Sequence, residues 1–496
     1  MLYGKLSIQL ATVQHSWLYV MNENPGECVL DKMNRRRFLT QTSAGILGAS
    51  DFTSSRQAVA QAGNGKNVLF IAVDDLNDWI APLYGYPGII TPNLSRLAER
   101  TVTFEQAYCA APLCNPSRAA LMTGVAPYHS GVYSISHAWR KAMPDVITLP
   151  QHFMQHGYHV VGGGKIYHWT QRDPQSWHEH FAQSWDPTPD PKFNRSLNSA
   201  QNFDWQPLDV PDSAMGDHKV ASWAINYLQQ EHDRPFFLAC GFFRPHLPWH
   251  VPGKYFDMYP LRDIILPIVH PQDLDDVPDA GRKIAKPERE HQQVLETGQW
   301  KNAVQGYLAS ITFVDAQIGR VLDALDQSPC AENTVILLWS DHGWSLGEKS
   351  AWRKYHLWEE ANRTPLFISV PGMTTPGARC SHPVSLQDIY PTLSSVCGLN
   401  ACPAQDGHDL SPLLHDPSIE WNTPVLMTRT AYNQAVRTHR WRYIRYDDGS
   451  DELYDHYWDP WEWRNLAGNR LFDTVRREHA LMLPEKCAPD APLLER

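Results

Sequence analysis

The chain has 496 residues, of which 43% are apolar, and its 43 Lys and Arg against 54 Asp and Glu give a formal net charge of −11. A chain of this length and apolar content buries at least one large core, which excludes intrinsic disorder. The acidic balance argues against a partner held by a broad basic surface, such as duplex nucleic acid, and no uninterrupted apolar run is long enough for a bundle of membrane spans.

Residues 1–62 are predicted to be a leader that precedes the folded protein. After Met33 come paired arginines, then a mildly apolar stretch, then small residues at Ala58-Val59-Ala60, which is the order found in a twin-arginine export signal. We therefore expect Met33 to be the true start and the protein to be exported to the periplasm or the extracellular space. A basic disordered arm is the alternative interpretation of the same residues.

The body of the chain alternates apolar, β-branched runs with helical patterns. The first run, Asn67–Val73, predicts a strand buried on both faces, and Thr91 and Pro92 then predict a helix start with Thr91 as N-cap. The elements predicted after these are strands at 158–161, 235–243 and 334–339 and helices at 221–228, 304–325 and 386–397. This alternation favours an α/β fold with a large, mostly parallel sheet sandwiched by helices.

The character of the sequence changes near its C-terminal end. Three short strand-like runs are separated by turn residues, as in an antiparallel meander, and they lie at 425–428, 435–438 and 441–444. We therefore predict a catalytic domain over residues 63–415 and a smaller C-terminal α+β subdomain over residues 416–496. The polar, proline-containing stretches 171–212 and 262–300 are predicted to be long surface loops.

Charged side chains follow the predicted strands at the points where the strands end. Ligands of open α/β sheets bind beyond the carboxyl ends of the strands, so we expect these residues to converge at one edge. They are Asp74 and Asp75, then Lys165 and His168, then His246, and finally Asp341 and His342. A single Asp after a strand is more often a turn or cap residue, but the combination of all these groups favours a site.

The ligand chemistry of this set favours a hard metal ion. The three carboxylates supply oxygen ligands, which suit Ca²⁺ or Mg²⁺. His342 fits less well, because imidazole is uncommon around calcium, so on its chemistry alone it is equally a general base or a ligand of a transition metal. Lys165 and Lys354 add the positive charge that a tetrahedral oxyanion requires in an acidic protein.

Cys114 lies between Pro112 and Pro116, just before a helix predicted to start near Ser117. A lone cysteine is usually a small core residue. A position at the positive N-terminal end of a helix instead favours a functional nucleophile. The cysteines that follow the leader show no C-x-x-C spacing, so a zinc finger is not expected.

These residues belong to blocks in which the chain resembles a type I sulfatase of the alkaline phosphatase superfamily. The signature C-x-P-S-R is Cys114–Arg118. The other matching blocks are Val73–Leu76, Gly164–His168, Arg244–Trp249, Ser340–Glu348, Trp352–Tyr355 and Glu452–Asp455 with Asp459-Pro460 and Asn465-Leu466. The resemblance spans about residues 65–468 and is greatest to the iduronate-2-sulfatase branch, which shares the Asp341-His342 pair where many sulfatases have Asn.

The resemblance implies an alkaline phosphatase-like fold and removal of sulfate from a sulfated sugar or polysaccharide. It implies that a formylglycine-generating or other sulfatase-maturating enzyme oxidises Cys114 to formylglycine, which Arg118 holds in place. One Ca²⁺ would be bound by Asp74, Asp75, the modified residue 114, Asp341 and His342.

The resemblance also implies a division of catalytic roles. One hydroxyl of the formylglycine hydrate would attack sulfur while Lys165 and Lys354 neutralise the sulfate oxygens. His246, with Lys354, would protonate the leaving alcohol. His168 would help to deprotonate the second hydroxyl, so that sulfate is expelled by internal elimination.

Other functions stay open at this stage. A phosphate ester or phosphonate hydrolase uses the same fold, although a phosphate dianion favours a second metal and the sequence shows no second carboxylate cluster. Choline sulfate is an alternative substrate. The 19 tryptophans suggest a third alternative, a carbohydrate-binding protein without catalysis. The tryptophans considered for this role include Trp441, Trp458, Trp461 and Trp463. Most of them are expected to pack in the core instead.

Overall fold

The computed structural model describes residues 63–182, 184–189, 203–401 and 405–495. The predicted leader, with Met33 and its twin-arginine pattern, lies outside these residues. Within the described ranges, no helix combines the length and the apolar character needed to cross a membrane.

The strands of the described residues build one large sheet and three smaller ones. In chain order they are β1 (Asn67–Val73), β2 (Val102–Tyr108), β3 (His159–Gly164), β4 (Glu179–Phe181), β5 (Trp205–Leu208), β6 (Phe236–Phe242), β7 (Trp249–Pro252), β8 (Thr334–Ser340), β9 (Ser345–Leu346), β10 (Trp352–Arg353), β11 (Arg363–Ser369), β12 (Arg379–Ser385), β13 (Val425–Thr430), β14 (Asn433–Arg437), β15 (Trp441–Arg445) and β16 (Asp451–Asp455). The large sheet has the order β12-β2-β11-β8-β1-β6-β3-β4. Of its eight strands, β11 runs antiparallel to both neighbours and the other pairings are parallel, which confirms the mostly parallel sheet.

Helices cover both faces of this sheet. In chain order the α-helices of the described residues are α1 (Pro92–Ala98), α2 (Cys114–Thr123), α3 (Pro127–Ser130), α4 (Trp139–Ala142), α5 (Leu149–Gln155), α6 (Gly216–Leu228), α7 (Gly253–Asp257), α8 (Asp279–Ala285), α9 (Glu290–Glu296), α10 (Trp300–Asp326), α11 (Glu359–Asn362), α12 (Ile389–Val396), α13 (Ser411–His415) and α14 (Asp473–Ala480). Successive side chains of β1 point to opposite faces. Leu69 and Ile71 pack with α6 and α10, whereas Val68 and Phe70 pack with α2, α5 and α12. This arrangement confirms the predicted α/β class.

The C-terminal region contains the predicted antiparallel meander and one strand more. Strands β13 to β16 pair in chain order, each antiparallel to the next. The fourth strand, β16, was not predicted from the sequence. Residues Val475 and Ala480 of α14 pack against the apolar face of this sheet, so the region is α+β as expected. The domain boundary at residue 415 stays a prediction.

Two local expectations were wrong. The stretches 171–212 and 262–300 are not only loop, because the first contains β4 and β5 and the second contains α8 and α9. The glycines after Val161 do not end β3, which continues to Gly164. A Cβ at Gly162 or Gly163 would lie within 3 Å of the ring of Trp177 or Trp223, so the strand uses glycine where two large rings pack directly on its backbone.

The expectation that Thr91 is the N-cap residue of α1 is confirmed, but its side chain makes no capping hydrogen bond. Thr91 occupies the N-cap position, but its Oγ1 accepts a hydrogen bond from the backbone N–H of Ala81 at 3.0 Å. The free N–H groups of α1 are instead bound by Asp315 of α10, whose two carboxylate oxygens accept from the backbone N–H of Leu94 at 2.7 Å and of Asn93 at 3.2 Å. The cap is therefore supplied from a distant part of the chain.

Candidate active site

The residues predicted for the site lie at one edge of the large sheet. Four parallel strands stand side by side there in the order β8-β1-β6-β3, so the segments after them are neighbours. These segments carry Asp74 and Asp75 after β1, Lys165 and His168 after β3, His246 after β6, and Asp341 and His342 after β8. Helix α2 begins at Cys114 at the same edge, which explains how chain-distant residues meet.

Five side chains form one compact group whose potential ligand atoms all lie within 4.8 Å of one another: Asp74, Asp75, Cys114, Asp341 and His342. All five are buried. The Sγ atom of Cys114 lies 3.3 Å from Nε2 of His342 and 3.9 Å from Oδ1 of Asp75. We call these five residues the catalytic group.

One carboxylate oxygen of the catalytic group has no hydrogen-bond partner among the described residues. Oδ2 of Asp75 is buried and accepts no hydrogen bond from the described residues. Leaving a charged acceptor buried without a partner is costly, so this atom fits a bound cation. Burial raises the pKa of Asp75 to about 7, in spite of Lys354 beside it. Asp75 also adopts a left-handed backbone conformation with φ 58°, a strained geometry often found at functional sites.

The imidazole of His342 is oriented as a metal ligand requires. Its Nδ1 lies 2.9 Å from the carbonyl oxygen of Gly343, so Nδ1 carries the hydrogen and donates it. The lone pair of Nε2 then points toward Cys114, Asp75 and Asp341. Burial, reinforced by Lys354, holds the pKa of His342 well below its ordinary value, so the ring is neutral. A carbonyl that fixes the tautomer in this way is typical of ligating histidines.

Arg118 connects two carboxylates of the catalytic group. Its Nε donates to Oδ2 of Asp341 at 2.8 Å and its Nη2 to Oδ1 of Asp74 at 3.1 Å. Nη1 donates to the backbone carbonyls of Lys165 and Ile166. Arg118 therefore orients two of the carboxylates. Its role in holding the modified residue 114 stays a prediction.

Two buried lysines face the same group. Lys354 donates from Nζ to Oδ1 of Asp75 at 2.5 Å and to Sγ of Cys114 at 3.0 Å, and Lys165 donates to Oδ2 of Asp74. Burial by itself lowers the pKa of Lys354, but Asp75 and the other nearby acids outweigh it and raise that pKa well above its ordinary value. Lys354 therefore presents fixed positive charge to any anion bound near residue 114, and Nζ of Lys165 faces the same group.

The two predicted catalytic histidines differ in exposure. The His246 side chain is 26% exposed, and its Nε2 lies 3.8 Å from Oδ2 of Asp75. His168 is buried, its Nδ1 lies 2.8 Å from Oγ1 of Thr170, and burial together with Lys165 lowers its pKa to about 3. His246 therefore lies on the solvent side of the catalytic group. None of the described hydrogen bonds connects His168 to the group.

Several supporting residues were missed by the sequence analysis. Ser117 donates from Oγ to the carbonyl of Asp341 at 2.5 Å, and Tyr307 donates from its hydroxyl to the carbonyl of Asp75 at 2.8 Å. Ser117 stands inside the C-x-P-S-R signature, which was the available signal. Tyr307 lies within the helical pattern of α10, where the sequence gives no sign of its contact.

The site and the fold define a class of protein. The sulfatase family model matches residues 66–399, and a model for the C-terminal region of N-sulphoglucosamine sulphohydrolase matches residues 347–486. The chain belongs to the sulfatase family. It is therefore an enzyme that hydrolyses sulfate esters.

Individual relatives agree with this assignment. A sulfatase of Formosa agariphila is 38% identical over 476 residues, which cover 91% of this chain and 92% of the relative. Human iduronate 2-sulfatase is 29% identical over 397 residues, which cover 69% of this chain and 71% of the relative.

Solved structures share the fold at lower identity. A protein solved with its substrate D-glucosamine-2-N,6-O-disulfate superposes with a TM-score of 0.69 at 21% identity, covering 84% of this chain and 96% of the other. A phosphonate monoester hydrolase from Silicibacter pomeroyi superposes with a TM-score of 0.71 at 21% identity, covering 84% and 94%. The fold alone thus does not separate sulfate from phosphonate chemistry.

Proposed function

We propose that this sulfatase removes sulfate from a sulfated sugar or polysaccharide, with specificity of the iduronate-2-sulfatase type. The observation that carries the proposal is the environment of Cys114, whose Sγ lies 3.0 Å from Nζ of Lys354 and 3.3 Å from Nε2 of His342, beside three carboxylates. The likeness to human iduronate 2-sulfatase supports the substrate class.

The metal in this proposal is one Ca²⁺. The ligands would be Asp74, Asp75, the modified residue 114, Asp341 and His342. Three observations fit the ion: the oxygen-rich donor set, the unpartnered Oδ2 of Asp75, and the lone pair of His342 directed into the group. When bound, the ion would stabilise negative charge on the sulfate oxygens as a Lewis acid.

The nucleophile in this proposal is formylglycine made from Cys114 by a sulfatase-maturating enzyme. Burial raises the pKa of the Cys114 thiol, in spite of Lys354, so the thiolate is not favoured at neutral pH. Formylglycine hydrate supplies one hydroxyl for attack and a second whose deprotonation allows sulfate to leave.

The remaining roles fall to side chains of this chain. Lys165 and Lys354 bind the sulfate oxygens, because their Nζ atoms face the catalytic group. His246, with Lys354, donates a proton to the leaving sugar oxygen from Nε2, since its Nδ1 lies 2.5 Å from the Leu247 carbonyl and Nε2 faces the site. Burial and Lys165 hold the pKa of free His246 well below its ordinary value, and bound sulfate brings the negative charge that favours the protonated ring. His168 assists proton removal.

The proposal includes the organisation of the whole chain. Residues 1–62 would direct export to the periplasm or outside the cell by the twin-arginine route. Residues 63–415 would form the catalytic domain and residues 416–496 the smaller subdomain.

The first test is mass spectrometry of the tryptic peptide that carries Cys114, which we expect to contain formylglycine. The second is Cys114→Ser, which keeps the fold but should permit at most one sulfation event and no turnover of an aryl sulfate. Cys330→Ser, at a partly exposed thiol away from the site, is the matched control and should turn over normally. Multi-turnover activity of Cys114→Ser would contradict the scheme, and faster hydrolysis of the matched aryl phosphate would favour the phosphate hydrolase instead.

A further inference from the structure

Two tryptophans near the active site expose their rings to solvent. The exposed fraction is 47% for Trp169 and 66% for Trp185. Their ring centroids lie 5.6 Å apart and the ring planes meet at 83°. Large indoles usually serve in cores, as Trp139 and Trp339 do in this molecule. The exposed pair therefore forms an open corner with two apolar walls, which we call the tryptophan corner.

The tryptophan corner is attached to the segments that carry both proposed catalytic histidines. Trp169 directly follows His168, and the two ring centroids lie 6.1 Å apart. Beside Trp185, the carboxylate of Asp186 accepts from the guanidinium of Arg244 and from the backbone N–H of Gly216.

The same guanidinium reaches the loop of the second histidine. Nη1 of Arg244 donates to the carbonyl of His246 at 2.8 Å, and Arg244 is buried. A continuous chain of hydrogen bonds thus fixes the Trp185 segment against the His246 loop. Trp185 thus lies on a segment tied to the His246 loop, and Trp169 lies beside His168.

We propose that the tryptophan corner stacks a pyranose ring of a sulfated saccharide substrate; this inference rests on the proposed sulfatase function. A pyranose has apolar C–H faces and a rim of hydroxyl groups. Indole rings cover such apolar faces well, and they lose little side-chain entropy on binding because they have two torsions. With the sulfate at the catalytic group, the sugar would extend past His246, where the corner lies.

A quaternary ammonium ligand fits the corner less well than a sugar. Aromatic recognition of such cations is strong where rings surround the charge and exclude water. Here the described pair offers two walls, and about half of Trp169 and two thirds of Trp185 remain in solvent. The geometry therefore favours a flat ring over the trimethylammonium group of choline sulfate.

The test compares substrates with and without the sugar. We would measure kcat/KM of Trp169→Ala and Trp185→Ala on a 2-O-sulfated uronic acid disaccharide, on 4-nitrophenyl sulfate and on choline sulfate. We expect the ratio of disaccharide to aryl sulfate kcat/KM to fall about tenfold in each variant, mainly through KM. Trp458→Ala removes an indole that is 76% exposed in the C-terminal region, and it should leave this ratio at the wild-type value.

A binding measurement separates this proposal from the proposed function. Calorimetric titration of the disaccharide into Cys114→Ser protein needs no turnover, and adding Trp169→Ala or Trp185→Ala should weaken binding about tenfold. If the disaccharide-to-aryl sulfate ratio of kcat/KM and the disaccharide affinity both stay at the wild-type values, the proposed role of the tryptophan corner is wrong. It is also wrong if kcat/KM on choline sulfate falls as much as kcat/KM on the disaccharide. Wild-type protein that hydrolyses no sulfate ester yet binds the disaccharide through these tryptophans would overturn the proposed function alone.

Discussion

Two buried groups among the described residues contain the residue types that bind metals, but they differ in what occupies their centre. The first is the catalytic group. The second consists of Glu359, His456 and Glu462, whose potential ligand atoms also lie within 4.8 Å of one another. We call it the junction group, because Glu359 begins α11 and the other two residues follow β16. Proximity of acids and imidazole is therefore not enough to define a metal site.

An arginine fills the junction group. The Arg442 guanidinium pairs with Glu359, and its Nε lies 2.6 Å from Oε1 of Glu462. Tyr108 donates to the other oxygen of Glu359, and the backbone N–H of Glu359 donates to Oε2 of Glu462. Although burial opposes ionisation, Arg442 lowers the pKa of Glu359 below its ordinary value. The carboxylates already have the cation they need.

In the catalytic group the arginine lies to one side. Arg118 binds Asp74 and Asp341, whereas Oδ2 of Asp75 accepts no hydrogen bond from the described residues. Cavity volume does not identify the catalytic site either. A cavity of about 790 Å³ is lined by Glu359 and His456 of the junction group, but none of the predicted site residues lines it.

The largest difference between the groups should appear on removing divalent metal. Chelation is expected to abolish turnover of an aryl sulfate, and Ca²⁺ should restore it better than Zn²⁺, because the ligands are mainly hard oxygens. Metal analysis should find one Ca²⁺ per chain in wild-type protein and in Glu462→Gln, and none in Asp75→Asn. Recovery of turnover with Zn²⁺ alone would contradict the calcium assignment. Loss of the metal from Glu462→Gln would contradict the assignment of the metal to the catalytic group.

Removing the central arginine should destabilise the junction group. Arg442→Met leaves two buried carboxylates without their cation, so we expect the free energy of unfolding to fall by about 3–5 kcal/mol. Chemical denaturation followed by circular dichroism measures this. The matched control is Arg440→Met, which breaks a pair between a 47% exposed Arg440 and Asp455 and should cost about 0–1 kcal/mol. Equal losses in both variants would show that the buried position of Arg442 has no special role.

The smallest expected effect is a pH dependence of metal binding. Burial raises the pKa of Asp75 to about 7 in the metal-free protein, so below that pH a proton competes with the ion. Calcium affinity should rise about tenfold per pH unit between pH 5 and pH 7, as expected for release of one proton, and then level off. Calorimetry at pH 5.5, 6.5 and 7.5 measures this, and an affinity that does not vary over that range would refute it.

The catalytic group was more accessible to sequence reasoning than the junction group. Asp74, Asp75, Asp341 and His342 stand directly after strands, and parallel strands bring their carboxyl ends together whatever the loops do. The partners of Arg442 gave no such signal. Glu359 lies 83 residues from Arg442 along the chain, and the contact depends on how the C-terminal sheet packs against α11.

The exposure of individual tryptophans was also not predictable from the sequence. Composition and spacing favoured packing for most of them, and Trp441 and Trp463 are indeed partly buried. Trp458 and Trp461 are instead 76% and 48% exposed, which sequence alone did not indicate.

The sequence by itself determined strands β1, β3, β6 and β8, the mostly parallel sheet and the meeting of ligand residues at one edge, because buried apolar runs and strand ends are local properties of the chain. The other strands of the large sheet, β2, β4, β11 and β12, were not predicted. Tertiary structure decided which polar groups pair. It bound the free N–H groups of α1 to Asp315 rather than to the side chain of Thr91, and it directed Arg118 toward Asp74 and Asp341. A buried charge takes whichever opposite charge packing brings within hydrogen-bond reach, and that proximity is set by the assembled layers of the fold rather than by neighbours in the chain.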